Sequence, residues 1–233
     1  MPAPTSIADL GRRAKAASRI LASSSTGQKD DALRAGAELL VARTDDLPAV
    51  GRVLAAAFDG DPVWSHLASP KADWSARAGA WFEAEARSQL KHHGVVLVDE
   101  ELGGAAIWAP PGHWKGTAAE GLALVVPSVR LFRSRLPRSI ANLGLMERKH
   151  PKEPPHWYLA ILGTDPAHQG KGIGSALIRA VTDRCDEQGL GAYLESSKEQ
   201  NVPYYARHGF EVREQISSGD GPPMWLMWRD PKG

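Results

Sequence analysis

The chain has 233 residues, of which 42% are hydrophobic and 24% charged, which is ordinary for one globular domain with a buried core. A formal net charge of +1 excludes the strongly basic balance typical of nucleic-acid-binding domains, and the single cysteine, Cys185, excludes an intrachain disulfide. Basic residues interrupt any secretory signal at the N-terminus, and the apolar run Leu122–Val126 is too short to span a bilayer. We therefore expect a soluble cytoplasmic protein without a membrane or nucleic-acid partner.

Residues 1–38 differ in composition from the rest of the chain. They are rich in Ala, Ser, Arg and Lys and contain no aromatic residue. Apolar residues at helical spacing stop at the polar run 23–27, and the helical stretch Asp30–Ala37 could follow it. The composition predicts an N-terminal extension, helical or disordered, ahead of one domain over residues 39–233.

The first elements of that domain are a short strand and two helices. Leu39–Arg43 is apolar enough for a strand, although a continuing helix is an alternative. Thr44 or Asp45 is expected to cap the first helix, and Ala76–Lys91 is expected to form the second.

Three apolar runs bounded by turn residues are predicted strands: Val95–Val98, Gly104–Trp108 and Trp157–Leu162. Between them, Thr117–Leu145 is predicted to be mainly helical, with breaks at Pro127 and Pro137. After residue 156 the predicted order is strand, glycine-rich loop, helix, strand, helix, strand. This alternation indicates a mixed α/β fold.

The glycine-rich loop is the most informative segment. Three glycines alternate with other residues immediately before a predicted helix that ends at Gly189: Gly170, Gly172 and Gly174. Glycines let backbone N–H groups approach a phosphate closely, and a helix N-terminus favours negative charge. The sequence therefore predicts a diphosphate-binding loop.

Three ligands could use such a loop. A nucleoside triphosphate site would need Gly at position 165 and Ser or Thr at 172, where the chain has Asp165 and Gly172. A dinucleotide site is the nearer alternative, because Glu195 ends the next strand, where a ribose-binding acid belongs. However, seven residues separate the first strand from the loop, and the third glycine position is Ser175. Coenzyme A is the third candidate.

The segment Asp165–Gly174 resembles the Gln/Arg-x-x-Gly-x-Gly/Ala pyrophosphate motif of the GNAT superfamily of acetyltransferases. A preceding strand and the downstream run Asn201–Phe210, which contains Tyr204 and Tyr205 before Gly-Phe, also match that superfamily. The resemblance implies a GNAT-type α/β fold with a mixed sheet. Within the superfamily, residues 40–233, and strongly only those after 148, are most similar to the puromycin N-acetyltransferases.

This resemblance implies acetyl-CoA as co-substrate and Tyr205 as the acid that protonates the departing thiolate. A tyrosine with an ordinary pKa near 10 is protonated at neutral pH, as such an acid must be. The resemblance also implies that coenzyme A is bound by a strand end, the loop and one asparagine: Leu162, Gly163, Thr164, Gln169, Gly170, Lys171, Gly172, Ile173, Gly174, Ser175 and Asn201.

An amine must lose a proton to attack a thioester, so the site also needs a base. Glu195 is the best candidate, directly or through water, although it could equally be a structural ion-pair partner. We expect acetyl transfer to a primary amine of a small molecule, such as puromycin or a related aminonucleoside. A protein N-terminus or lysine as acceptor and a non-catalytic acyl-CoA sensor are the alternatives. No Cys/His cluster has metal-ligand spacing, so no metal is expected.

Overall fold

The computed structural model describes residues 39–69 and 73–232. The predicted extension lies outside the described residues. Seven strands form one mixed sheet in the order β1-β2-β3-β4-β5-β7-β6. Their bounds are β1 Leu39–Val41, β2 Val95–Asp99, β3 Gly104–Ala109, β4 His156–Thr164, β5 Gly191–Ser196, β6 Glu211–Ser217 and β7 Pro223–Arg229.

Helices cover both faces of this sheet. Their bounds are α1 Leu47–Ala57, α2 Pro62–Leu67, α3 Trp74–Lys91, α4 Ala118–Phe132, α5 Leu136–Lys149, α6 Ile173–Gln188 and α7 Val202–Ala206. Helices α1 to α4 pack with one face of the sheet in one hydrophobic cluster, and α6 and α7 pack with the opposite face in a second. No helix in the described ranges is long and apolar enough to cross a membrane.

The parallel pairing of β4 with β5 is short. It runs from the pair His156 and Gly191 to the pair Leu159 and Leu194 and then stops. On its other side, β4 stays paired with β3 as far as Thr164. The two parallel strands therefore part at their carboxyl ends, and the β5-facing edge of β4 is open over its last five residues.

An irregularity in β4 lies at the same point. Ile107 and Trp108 are adjacent in β3, but their partners in β4 are Ile161 and Leu159, which leaves Ala160 as an extra residue. An extra residue of this kind is a β-bulge, which bends its strand and increases the local twist. The bulge thus coincides with the place where β4 leaves β5.

Most predicted elements are confirmed, and most of their ends shift by one or two residues, although the helical stretch predicted to end at Leu145 continues to Lys149. The first strand is confirmed over the helical alternative. The predicted cap is wrong, because a 3-10 turn occupies Thr44–Asp46 and the helix begins at Leu47. The predicted order after residue 156 lacks one strand, because both β6 and β7 follow α7.

The predicted break at Pro127 is also wrong, since α4 continues through it. The turn after this proline is held by α3, because Trp81 Nε1 donates to Ser128 Oγ at 3.0 Å and Arg77 Nη1 donates to the Leu131 carbonyl at 3.0 Å. These tertiary contacts stabilise the helix where the proline removes a backbone hydrogen bond. The break near Pro137 is confirmed, with the proline in the first turn of α5.

Candidate active site

The glycine-rich loop adopts the conformation that its glycines were expected to allow. Gly170 and Gly172 have φ angles of 79° and 81°, in the left-handed region that favours glycine. Gly172 is the N-cap residue of α6 and provides no side-chain cap for it. The loop is exposed from Gln169 to Gly172. The first N–H groups of α6 therefore face a solvent-accessible loop, which is the arrangement that binds phosphate.

The start of α6 is packed against α7. A Cβ on Gly174 would lie 2.7 Å from the Tyr204 hydroxyl, so glycine is needed there for packing. The hydroxyl of Ser175 lies 3.4 Å from the Tyr204 hydroxyl and 3.0 Å from Nε2 of His208. Burial, helped by nearby basic residues, lowers the pKa of His208 to about 4. The polar atom of Ser175 is thus already engaged inside the protein.

The end of β4 brings the remaining predicted coenzyme contacts next to the loop. Gln169 Nε2 donates to the Thr164 carbonyl at 3.4 Å, which folds this side chain back on the strand. Gly163 packs on α1, since a Cβ would lie 2.8 Å from Leu54 Cδ2 and from Ala57 Cβ. The open edge that begins beside the bulge and includes Leu162 can bind the amides of a pantetheine arm.

Asn201, just before α7, and Tyr205, within α7, were predicted to contact coenzyme A, the tyrosine at its sulfur. Asn201 is the N-cap residue of α7, but its side chain makes no capping hydrogen bond within the described part of the chain. Tyr205 is buried on the α6 face of the sheet and packs edge-on against Tyr204 and Phe210. Burial, and then the neighbouring Tyr204 and Asp61, raise the pKa of Tyr205 above its ordinary value. This tyrosine is therefore protonated at neutral pH.

Glu195 lies on the opposite face. Successive residues of a strand point to opposite sides, so Glu195 shares the face of Tyr193, which packs with α1 to α4, while Leu194 packs with α6. Its side chain is only 5% exposed, and Oε1 is buried without a hydrogen bond among the residues described. A buried carboxylate oxygen without a partner is costly and often marks a functional site.

Histidine and tyrosine side chains surround this carboxylate. His150 Nδ1 lies 3.9 Å from Glu195 Oε1. Tyr158 and Tyr193 are register partners on β4 and β5. Burial above all raises the pKa of both tyrosines, and the Glu195 carboxylate raises it further. The Tyr193 hydroxyl is buried without a hydrogen bond in the described ranges, although the carboxylate is close enough to affect it.

A second histidine extends the cluster. His150 Nε2 lies 3.0 Å from His156 Nε2, and His156 Nδ1 lies 2.8 Å from the Pro154 carbonyl oxygen. The ring of Trp114 stacks on His150 with centroids 3.9 Å apart and an interplanar angle of 13°. Sequence reasoning missed the roles of His150, His156, Tyr158 and Tyr193. The available signal was a pair of histidines that flank a proline-rich segment directly before a strand.

Five tryptophans lie between residues 64 and 114, a concentration that is consistent with packing or with an aromatic acceptor pocket. Trp64, Trp74 and Trp81 pack together in the helical layer, and Trp108 is fully buried on the α6 face. Only Trp114 among these five contacts the His150 ring. The packing interpretation therefore fits the other four.

A cleft of about 410 Å³ opens at the carboxyl end of β5. Its lining comes from the start of α2, the segment after β5 and the start of β7: Gly60, Pro62, Ser197, Lys198, Glu199, Gln200, Pro222, Pro223 and Trp225. Asp61, between the lining residues Gly60 and Pro62, accepts a hydrogen bond from the hydroxyl of the lining residue Ser197. The cleft begins two residues beyond Glu195, so a ligand in it would approach the parted strands.

Comparisons with known proteins agree with this geometry. The family model described as the acetyltransferase (GNAT) family matches residues 137–210, from α5 to the end of the α7 segment. An uncharacterised N-acetyltransferase of Schizosaccharomyces pombe is 30% identical over 152 residues, which cover 60% of this chain and 61% of that protein. The chain therefore spans about three fifths of this curated relative's length.

Solved structures share the fold over nearly their whole length. The structure described as histone acetyltransferase HPA2 and related acetyltransferase from Corynebacterium glutamicum is 28% identical, covers 84% of this chain and 97% of its own, and has a TM-score of 0.64. Arylalkylamine N-acetyltransferase 2 from Aedes aegypti is 14% identical and has a TM-score of 0.55. The match covers 84% of this chain and 99% of the mosquito chain, and at this identity it shows a common fold alone.

The fold and these matches agree on one class of protein. The mixed seven-stranded sheet is of the GNAT type, as expected from the sequence. The family model, the yeast relative and the bacterial structure together support an acetyltransferase of the GNAT family. None of the relatives named above identifies the acceptor.

Proposed function

We propose that this protein transfers the acetyl group of acetyl-CoA to the primary amine of a small molecule. One observation carries the proposal. The glycine-rich loop and Tyr205 lie on one side of the parted strands β4 and β5, and the buried carboxylate of Glu195 lies on the other. A thioester and an amine could therefore meet in the gap from opposite faces of the sheet.

The residues on the α6 face fit a coenzyme A diphosphate and its pantetheine arm. Backbone N–H groups at Gly172 and Gly174 would hold the diphosphate at the helix N-terminus, and Lys171 would add a positive charge. The open edge of β4 would pair with the amides of the arm. Asn201, whose side chain does not cap its helix, would donate to the same arm.

The residues around the gap can perform both proton transfers of the reaction. Glu195 takes the first proton from the ammonium form of the amine, and the neutral nitrogen then forms a bond to the acetyl carbon. The carbon–sulfur bond breaks, the electron pair left on sulfur takes the proton of Tyr205, and the second proton lost by the nitrogen replaces it on the tyrosine oxygen. The products are an amide and free coenzyme A. Acetyl-CoA supplies only the activated acetyl group.

The charge around Glu195 favours a cationic acceptor. Beyond burial, the carboxylates of Glu195 and Glu85 both raise the pKa of Tyr158, and Glu120 lies close enough to Glu85 to raise its pKa, so acidic groups are concentrated on this face. An amine arrives as an ammonium ion, which such a site attracts. The aromatic rings of Trp114, Tyr158 and Tyr193 are flat apolar surfaces, and these support an amine that carries an aromatic group. Puromycin or a related aminonucleoside has this chemistry.

A protein lysine is the second candidate acceptor. It is favoured by the description of the Corynebacterium glutamicum relative as a histone acetyltransferase. The burial of the candidate base, with a side chain only 5% exposed, argues for a small acceptor that can enter completely.

A thiol-release assay with acetyl-CoA tests the function directly. The panel should contain puromycin, arylalkylamines, polyamines and a lysine peptide, each also tested without enzyme. We expect release with small aromatic amines and little with the peptide. Release only with the peptide would support the lysine alternative. Tight binding of acetyl-CoA by calorimetry without release by any amine would indicate an acyl-CoA sensor.

A further inference from the structure

The contact between His150 and Glu195 is unusual for a buried histidine and carboxylate. The two side chains are only 3% and 5% exposed, yet Nδ1 and Oε1 are 3.9 Å apart. Donor–acceptor distances in N–H···O hydrogen bonds are about 2.7–3.2 Å. The histidine therefore does not donate from Nδ1 to the carboxylate, and Oε1 has no hydrogen bond of ordinary length in the described part of the chain, although the hydroxyls of Tyr158 and Tyr193 lie close enough to interact with the carboxylate.

The neighbouring histidine explains why Nδ1 does not donate. The Pro154 carbonyl oxygen can only accept, so His156 must carry its hydrogen on Nδ1, which lies 2.8 Å away. Burial lowers the pKa of His156, so its ring is neutral near pH 7 and Nε2 is left as an acceptor. His150 must then donate from Nε2 across the 3.0 Å contact. In a neutral His150, Nδ1 is left with a lone pair.

Aromatic contacts hold the His150 ring in this orientation. Trp114 stacks on one face, and the rings of Tyr158 and Tyr193 meet it edge-on with centroids 4.8 and 4.7 Å away. These contacts restrict rotation of the ring and keep Nδ1, 3.9 Å from Glu195 Oε1, beside the carboxylate.

We propose that His150 Nδ1 and Glu195 Oε1 form a seat of two acceptors for the nitrogen of the acceptor substrate, which selects primary over secondary amines. This inference rests on the proposed acetyltransferase function. Two acceptors 3.9 Å apart can both be reached by one nitrogen at hydrogen-bond distances of about 2.9 Å. A neutral primary amine donates one N–H to each and keeps its lone pair for the acetyl carbon. A secondary amine has one N–H and leaves one buried acceptor unpaired.

His150 is thus a specificity-determining residue, and His156 is a positioning residue that acts through it. The chemical step remains that described above. Glu195 takes the first proton of the ammonium, a bond forms between nitrogen and the acetyl carbon, the carbon–sulfur bond breaks, and the second nitrogen proton replaces the one that Tyr205 gives to sulfur.

Histidine tautomers can be measured without any turnover. In protein labelled with nitrogen-15 histidine, we expect His150 to carry its hydrogen on Nε2 and His156 on Nδ1 at pH 7. Assignment is made by loss of signals in His150→Phe and His156→Gln. A His150 ring with hydrogen on Nδ1, or on both nitrogens, would overturn the seat whatever the enzyme's activity.

Matched amines test the selectivity. The best primary amine from the panel is compared with its N-methyl derivative, and we expect kcat/KM to fall roughly 10–100-fold for the derivative, the usual cost of one unpaired buried group. His150→Phe keeps the ring stack but removes the lone pair, so the ratio should shrink to a few-fold. His156→Gln, whose amide oxygen can accept from Nε2, should keep the wild-type ratio.

The outcomes separate the two proposals. If wild-type enzyme releases thiol with primary amines but His150→Phe keeps the full preference, the seat is wrong and the acetyltransferase function stands. If the tautomers are as expected but no amine releases thiol, the acetyltransferase function is wrong, whereas the arrangement of His150 Nδ1 and Glu195 Oε1 as two neighbouring acceptors is retained.

Discussion

The carboxylate of Asp61 accepts a hydrogen bond from the Ser197 hydroxyl at 2.6 Å, between residues 136 positions apart in the chain. The same carboxylate caps α2 by accepting from the backbone N–H groups of Val63 and Trp64 at 3.0 and 3.1 Å. Its negative charge also contributes to the raised pKa of Tyr205. One buried side chain therefore links the helix that borders the cleft to the segment that leaves β5.

We expect Asp61→Ala to reduce the free energy of unfolding by about 1–3 kcal/mol, because a helix cap is lost and a hydroxyl loses its acceptor. Ser197→Ala removes only the long-range contact and should cost less. Denaturant unfolding of both single variants and the double variant would measure the coupling. Additive losses would show that the two side chains do not stabilise each other.

Gly172→Asp should abolish binding of coenzyme A and preserve the fold. Gly172 has a φ angle of 81° and begins α6, so aspartate would place a negative charge where the diphosphate is expected to bind. Gly219→Asp is the matched control, since Gly219 also has a positive φ of 59° and a Cβ there meets open space. Calorimetry should show wild-type affinity for the control alone. Equal affinity in both variants would contradict the diphosphate assignment.

The parts of the fold that the sequence predicted depend on local signals. The loop is recognisable because glycines at 170 and 172 permit a positive φ directly before an amphipathic helix. The strands are recognisable from apolar runs. The cluster around Glu195 is different, because His150 reaches it only when the end of α5 packs beside two parallel strands. Tyr158 and Tyr193 become neighbours through strand register, which no local pattern encodes.

The same distinction explains the error at Pro127. A proline within a helical pattern predicts a break from local chemistry alone. The hydrogen bond from Trp81 to Ser128, across 47 residues, stabilises the helix beyond it. Tertiary contacts of this kind cannot be seen in the sequence pattern.

Deletion of residues 1–36 should leave turnover within a few-fold of the full chain. The described sheet begins at Leu39, and every residue of the candidate site follows it. Thiol release and thermal unfolding of the shortened chain are compared with the full chain. Loss of soluble protein, or of all activity, would show that the N-terminal residues complete the domain.

Tyr205→Phe should reduce kcat by roughly 10²–10⁴-fold with little change in acetyl-CoA affinity, since only the proton donor to sulfur is removed. The phenyl ring preserves the edge contact with Phe210. Tyr204→Phe is the comparison, because that hydroxyl contacts Ser175 and lies at the start of α6. Steady-state kinetics of the two variants separate their roles. A Tyr205→Phe enzyme with the wild-type rate, beside a slow Tyr204→Phe enzyme, would assign the acid to Tyr204.

Glu195→Gln should behave as the loss of a base and not as the loss of a structural contact. The amide fills the same volume beside His150, so the melting temperature should change little. Activity at pH 7 should fall by roughly 10²–10⁴-fold, because the amine no longer loses its proton to a nearby carboxylate. Raising the pH increases the fraction of amine that is already neutral, so the variant's rate should climb with pH toward the amine's own pKa while the wild-type rate levels off earlier.

The measurement is kcat/KM for one amine from pH 6 to 10, with a second amine of lower pKa as the control. The rise in the variant should shift to lower pH with that second amine. A variant whose deficit stays constant across the range would show that Glu195 organises the site without accepting the proton.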